Sequence, residues 1–443
     1  MYRKGTMALA VAAALGLPHG ATAQTQDELR ALREQVRQLD KRVQEAEATA
    51  QQAAVQASSR PTGENAMNPA VSVILNGIYS NLSQDPNAFR INGFAPTLGE
   101  VGPGVRGLSL GESELALAAN IDHNFRGTLI ASISPEDGIG VEEGYIQTLA
   151  LSYGFTIKAG RFFSGVGYQN QIHAHAWDFT DAPLANKVFL GNQLNEDGIQ
   201  LKWVAPSDLY FDLGLELGRG RQFPAGPAGG RNKNGVGSST LFAHVGGDLG
   251  TSTAWQAGVS YLSTSPQDRT FGNLDSSGNP VNTNSFTGNS RLWVLDGILK
   301  WAPNQNPTIT HFKLQGEYFR RKEDGNLTFD TTGTAQTGGF ASVQSGWYLQ
   351  GVYQFVPMWR VGYRYDRLNS GTTSLSAPLT AADFPILAAY NPTRHTVMVD
   401  WSPSEFSRVR LQAASDKSRS DATDNQVFLQ YIVSLGAHGA HKF

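Results

Sequence analysis

The residues of this sequence whose spacing best fits a metal site are His173-Ala174-His175, followed by Asp178. In an extended segment, side chains two residues apart lie on the same side, so both imidazoles would face one ion. Imidazole and carboxylate groups bind divalent transition metals such as zinc. Two histidines are more often structural or pore-lining residues, and no fourth ligand is evident. Zinc bound by His173, His175 and Asp178 is therefore the alternative prediction, and no other cofactor is expected.

A second set of candidates consists of charges on the polar faces of predicted strands and in the predicted loop 163–196. Opposite charges that face each other in a pore set a field that orients polar solutes and tunes ion preference. The alternative is that these charges pair with one another and hydrate the interior. The predicted pore-lining residues are Arg360, Arg364, Arg408, Arg410, Lys158, Lys202, Asp178, Asp181 and Glu196.

Enzymatic chemistry has little support in this chain. It contains no cysteine, which excludes disulfides, thiolate metal ligands and cysteine nucleophiles. It also contains no H-E-x-x-H or phosphate-loop motif. We therefore predict that the protein is not an enzyme.

The elements that position these residues are about sixteen segments with alternating hydrophobicity. From Leu209 to Leu217, for example, the odd positions are apolar, while Asp212 and Glu216 lie between them. Short turns alternate with longer loops along the chain; the predicted strands include 107–121, and the predicted long loops include 264–290 and 321–344. A chain of many such strands, with short turns at one end and long loops at the other, is typical of a transmembrane barrel. The predicted fold is all-β: an antiparallel transmembrane β-barrel of about sixteen strands.

The tryptophans support a membrane location. Five of them lie close to predicted short turns and share the parity of the apolar face of their strand, and two more lie at the opposite strand ends. Such a distribution makes two aromatic belts at the membrane–water interfaces. The five are Trp203, Trp255, Trp301, Trp359 and Trp401, and the two are Trp293 and Trp347.

The N-terminal part has a different organisation. Residues 1–23 have the charged start, the apolar run and the small-residue cleavage site of a secretory signal. Residues 24–57 carry apolar side chains at three–four spacing, which predicts a periplasmic α-helical coiled coil and a homotrimer. Residues 58–69 form the predicted linker, and residues 70–443 form the barrel with an inward-folding loop at 163–196.

Charge and location restrict the partners. Removal of Arg3 and Lys4 with the signal leaves 33 basic against 38 acidic residues, a net charge of about −5. With no basic tract, nucleic acid is not an expected partner. The expected location is the outer membrane of a Gram-negative bacterium, with the N-terminus in the periplasm and outer-membrane lipid around the barrel.

Several segments resemble an outer-membrane family often labelled zinc-regulated TonB-dependent outer membrane receptors. The general layout is also similar to that of phosphate-selective and general porins. In those porins an inward-folded external loop forms the constriction, so the resemblance implies this role for residues 164–196. The segments that carry the resemblance are Asn68–Gly77, Gly111–Leu115, Val141–Gln147 and the run from Gly160 to Asp178.

The predicted function is that of an outer-membrane porin for passive diffusion of small polar solutes or ions. A second hypothesis is a specific uptake channel or receptor for zinc or a zinc complex, centred on the loop histidines. A third hypothesis is a structural tether, in which the coiled coil reaches towards peptidoglycan and the barrel serves as an anchor.

Overall fold

The chain forms an antiparallel barrel in a computed structural model that describes residues 69–95, 101–134, 138–226, 234–274 and 280–436. Sixteen strands close it: each pairs with its neighbour, and the last pairs with the first from Ser72–Gly436 to Leu82–Gln426. Two short strands, Gly107–Leu110 and Arg269–Leu274, are additional. This confirms the predicted all-β barrel of about sixteen strands.

The strands follow one another in chain order around the barrel. They are β1 (Ala70–Leu82), β2 (Gly107–Leu110), β3 (Ser113–Asn120), β4 (Phe125–Ser134), β5 (Gly138–Thr148), β6 (Phe155–Phe163), β7 (Asn195–Val204), β8 (Tyr210–Gly218), β9 (Ser238–Leu249), β10 (Thr253–Thr264), β11 (Arg269–Leu274), β12 (Pro280–Trp301), β13 (His311–Phe329), β14 (Gln336–Val356), β15 (Trp359–Leu375), β16 (Thr393–Ser404), β17 (Ser407–Lys417) and β18 (Asp424–Gly436).

The short helical elements lie in the connections. Among the described residues, the α-helix α1 spans Leu184–Leu190 and ends at Gly191, whose φ of 66° is the left-handed conformation that favours glycine. The 3₁₀ turns are Pro86–Ala88, Ser152–Gly154, Gln169–Gln171, Ala174–Ala176, Pro303–Gln305, Ala381–Asp383 and Pro385–Leu387. Within the described residues, no helix has both the length and the apolar character needed to cross a bilayer.

Apolar and polar side chains alternate along each strand, and this alternation explains the barrel. In β8, Leu213 and Leu215 are exposed on the outside, whereas Asp212 and Glu216 are buried inside. A soluble sandwich would place these two sets the other way round. An apolar outer face with a polar interior is the arrangement that a bilayer requires.

The aromatic belts are present on the outer face. Near the short turns, Trp359 stacks on Trp401 with ring centroids 6.0 Å apart. At the other end of the strands, the rings of Tyr261 and Trp293 are in contact, with centroids 4.7 Å apart. Paired aromatic rings at both levels mark the two membrane–water interfaces.

Two groups of strand boundaries differ from the predicted ones. The predicted strand 107–121 is divided into β2 and β3, which both pair with β1. The predicted loop 321–344 is mostly strand, because β13 continues to Phe329 and β14 begins at Gln336. Similarly, β12 begins at Pro280 inside the predicted loop 264–290. These extensions lie beyond the lipid, where strands no longer need apolar outward residues.

The predicted signal 1–23, the predicted coiled coil 24–57 and residues 58–68 of the predicted linker lie outside the described residues. The predicted strands, the loop 163–196 and all nine predicted pore-lining residues lie within them.

Candidate functional site

Residues 164–194, called the inward segment below, fold into the barrel between β6 and β7. Its helix α1 is completely buried against inward-facing side chains of the opposite strands, among them Phe319 and Tyr348. Phe189 of α1 stacks on Phe319 with ring centroids 5.7 Å apart and meets the edge of Phe94 at 5.9 Å. An apolar core inside the barrel explains why this long connection is so rich in apolar residues.

Inward carboxylates of the barrel bind the backbone of the inward segment. Gly165 N–H donates to Glu216 at 2.7 Å, and Gln169 N–H donates to Glu317 at 3.0 Å. Further along, Leu184 N–H donates to Asp366 at 2.9 Å. These hydrogen bonds from three separate points of the backbone fix the path of the segment.

Inward arginines bind its carbonyl groups in the same way. The Trp177 carbonyl accepts from Arg408 at 3.2 Å and from Arg410 at 2.7 Å. The Asp181 carbonyl accepts from Arg364 at 2.8 Å. Three of the predicted pore-lining arginines are therefore in direct contact with the inward segment.

Asp178 joins the inward segment to two strands of the barrel, β13 and β15. Its carboxylate pairs with Lys313 and accepts from Arg360 at 3.2 Å, and Arg360 also pairs with Asp400. Burial alone would raise the pKa of Asp178, but the charges of Lys313 and Arg360 outweigh it and hold that pKa below its usual range. This carboxylate is consequently ionised and bound to cations.

Asp181 is the centre of a second ion-pair network. It contacts Arg394, Lys187 at 3.0 Å and Arg364 at 3.2 Å. Burial would raise the pKa of Asp181, but Arg394, Lys187 and Arg364 hold it well below the usual range. Burial lowers the pKa of Lys187, and the Asp181 charge opposes that shift. Arg394 was not among the residues predicted from the sequence, although it lies on the inner face of β16.

Three predicted residues lie away from these networks. Lys202 pairs with Asp212 at 2.6 Å. Lys158 lies over the ring of Tyr145 at 4.4 Å. Glu196 accepts from the backbone of Gly220 at 2.7 Å and of Arg221 at 2.8 Å, and from Ser238. Glu196 therefore fixes the connection after β8 and does not contact the inward segment through these bonds.

The loop histidines lie next to three glutamates of the barrel. His173 Nδ1 lies 3.4 Å from Glu114 and 3.3 Å from Glu142, and its Nε2 lies 3.1 Å from Glu143. His175 Nδ1 lies 2.7 Å from Glu114. We call these five residues the Glu–His cluster.

A β-bulge makes the Glu–His cluster possible. Neighbouring strand residues normally point to opposite faces, yet Glu142 and Glu143 are both buried. In the pairing of β4 with β5, Ile130 is opposite Glu143 and Ala131 is opposite Val141, so Glu142 is the extra residue. The bulge turns both carboxylates towards His173.

Electrostatics in the Glu–His cluster favour a positive charge. Burial would lower the pKa of His173, but the carboxylates of Glu142, Glu143 and Glu114 beside it raise it well above the usual value. Asp178, the third metal ligand predicted from the sequence, instead contacts Lys313 and Arg360. Glu114, His173 and His175 each offer a ligand atom within 4.8 Å of the other two, so Glu114 occupies the place predicted for Asp178.

Two cavities approach the inward segment from opposite ends of the barrel. The external cavity, about 600 Å³, opens among the long connections and is lined by Asn87, Ala174 and Asp181. The periplasmic-side cavity, about 540 Å³, opens among the short turns and is lined by His175 and Arg408. The inward segment borders both cavities, because the adjacent residues Ala174 and His175 line one each. His175 also belongs to the Glu–His cluster.

Solved structures with the same fold are outer-membrane proteins. A loop-deletion mutant of OmpT, an outer membrane protein of Vibrio cholerae, matches with a TM-score of 0.52 at 10% identity, over 84% of this chain and 100% of that one. OmpT of the same organism, folded in vitro, matches with a TM-score of 0.50 at 10% identity, over 84% and 99%. With the apolar outer face and its aromatic belts, this fold confirms the predicted outer-membrane location.

A relative is found at the level of sequence. A protein of Aquifex aeolicus (strain VF5), described as uncharacterized, is 32% identical over 354 residues, which cover 76% of this chain and 70% of that protein. The chain belongs to the family of that protein. No family model matches the chain. The resemblance to zinc-regulated receptors thus stays a prediction.

Proposed function

We propose that the protein is an outer-membrane channel through which small polar solutes or ions diffuse passively. The observation that carries this proposal is the pair of cavities that enter the barrel from its two ends and border the inward segment at the adjacent residues Ala174 and His175. Such a route is narrow, because the inward segment and its apolar core fill much of the interior. The solutes should therefore be small.

A second candidate function is uptake of zinc or a zinc complex. The observation that favours it is the Glu–His cluster, which combines imidazole and carboxylate ligands beside the narrow part of the route. A channel that carries zinc would bind it weakly enough to release it. A channel that zinc only regulates would bind the ion and lose current.

Single-channel recording from the purified, folded protein in a planar lipid bilayer tests the channel. We expect stable current steps, and closures in groups of three if the protein is the predicted homotrimer. A heat-denatured sample of the same preparation is the control for leaks in the bilayer. Absence of steps from protein that is shown to be folded would contradict the channel and favour a closed receptor or an anchor.

A further inference from the structure

We infer that the Glu–His cluster is a binding site for a divalent transition-metal ion. The ligands that the structure assigns are Glu114, His173 and His175, with Glu142 as the fourth and Glu143 in a supporting position. These residues come from two barrel strands and the inward segment, so a bound ion would link the segment to the barrel.

The orientation of His173 is the first argument. Its Nε2 lies 3.1 Å from Glu143, whose other oxygen accepts from the backbone N–H of Phe163 at 3.1 Å. A carboxylate that accepts from one imidazole nitrogen leaves the other nitrogen free to bind a metal, as in many zinc sites. The free nitrogen is Nδ1, which makes no hydrogen bond with a described residue and points at Glu114 and Glu142.

The spacing of the donor atoms is the second argument. Tetrahedral zinc with bonds of about 2.0–2.2 Å requires its donors to lie about 3.3–3.6 Å apart. His173 Nδ1 lies 3.4 Å from a Glu114 oxygen and 3.3 Å from a Glu142 oxygen. The rings of His173 and His175 stack with centroids 5.7 Å apart, so both imidazoles border the same volume.

The charge of the cluster is the third argument. Glu114, Glu142 and Glu143 are only 2%, 8% and 7% exposed, and like charges that are buried together strongly destabilise one another. The Glu142 Oε2 atom, aimed at His173 Nδ1, forms no hydrogen bond with any residue that the structure describes. A divalent cation at this position would neutralise two of the three carboxylate charges.

The position of the site gives binding a consequence for the channel. His175 lines the periplasmic-side cavity, and its neighbour Ala174 lines the external cavity. An ion held at this point would fix the stretch between the cavities and reduce current. This consequence rests on the proposed channel function, whereas the binding itself does not.

Zinc titration by calorimetry tests the site on the full mature chain in detergent. We expect the wild-type protein to bind one more zinc ion per protomer than the Glu142→Gln and His173→Ala variants. The Glu143→Gln variant, which removes only the supporting carboxylate, should keep the stoichiometry and bind about 10–100-fold more weakly. The control is His123→Ala, because His123 lies exposed in the turn between β3 and β4, away from the cluster.

Cobalt(II) used as a probe distinguishes a built site from adventitious binding. Strong visible absorption, which tetrahedral cobalt shows, should appear in the wild type and vanish in Glu142→Gln. Equal zinc stoichiometry in the wild type and in folded Glu142→Gln would overturn the site. Failure of the site and failure of the channel can be told apart, because zinc binding is measured without current. A folded protein that binds zinc but shows no current would refute only the channel. A protein that shows current but binds no zinc would refute only the site.

Discussion

Replacing Phe189 by alanine should detach α1 from the inside of the barrel. Phe189 is fully buried, packs against Phe94 and Phe319, and lies under the guanidinium of Arg321 at 5.2 Å. Removal of a buried phenylalanine ring costs about 3–5 kcal/mol. At about 1.4 kcal/mol per factor of ten, the ratio of docked to undocked segment should fall by about a hundredfold to a few thousandfold.

Two assays report on this undocking. Lys187 lies in the same helix and is only 2% exposed, so trypsin should cut after it slowly in the wild type and much faster in Phe189→Ala. The single-channel conductance should rise, with a noisier open level, because the undocked helix leaves the interior. The barrel strands keep their pairing and should remain resistant to the protease.

The control is Phe355→Ala, which removes the same ring from the lipid-facing side of β14, where it is 44% exposed. This variant should match the wild type in cleavage at Lys187 and in conductance. If folded Phe189→Ala also matched the wild type in both assays, the apolar core inside the barrel would not be what holds the segment.

The remaining predictions concern the ion pairs and the packing around the segment. Asp181→Asn leaves three cationic partners without their carboxylate and should weaken docking by about 3–5 kcal/mol, seen as faster tryptic cleavage. Because the pKa of Asp181 is held well below its usual value of 3.8, its contribution should persist from pH 8 down to about 4. It should be lost, with a rise in conductance, only as the pH falls through the lowered pKa. Gly214→Ala would place a methyl group 1.9 Å from the Phe242 ring and should destabilise the barrel by about 1–3 kcal/mol in thermal unfolding, whereas Gly77→Ala, with nothing within 4 Å, should not. Arg408→Gln, at the periplasmic-side cavity, should move the reversal potential towards cation preference, and an unchanged potential would place the ion path elsewhere.

The barrel was predictable because the lipid imposes a pattern on every strand that crosses it. Leu213 and Leu215 must be apolar on the outside, and Trp359 and Trp401 must lie at an interface, so both signals are written in the sequence. The extension of β13 to Phe329 was not predictable in this way. Beyond the lipid the outward face is free to be polar, and the alternation that identifies a strand disappears.

The site was predictable only in part, because its residues are far apart in the chain. His173 and His175 attract attention by their spacing, but Glu114 and Glu143 reach them across 61 and 30 residues through the barrel register. The signal that was available is the adjacent pair Glu142-Glu143 in a strand. Two neighbouring carboxylates on opposite faces would put one into lipid, so such a pair in a membrane strand indicates a bulge.

The charges inside the barrel have two roles that the sequence did not separate. Asp181, Arg364 and Arg394 are engaged with one another and hold the inward segment, so they have little charge left to offer a solute. Selectivity should therefore depend on Arg408, which lines the periplasmic-side cavity, and on the acidic Glu–His cluster, whose His175 lines the same cavity.

These two groups have opposite charge and adjoin the same narrow stretch, so their effects on ion preference should oppose each other. Loss of the arginine charge favours cations, whereas a zinc ion bound at the Glu–His cluster cancels negative charge and favours anions in whatever current remains. Reversal potentials measured with and without zinc, in the wild type and in Arg408→Gln, compare the effect of zinc binding with the effect of losing the arginine charge. Shifts in the same direction would mean that the cluster and the arginine do not border one route.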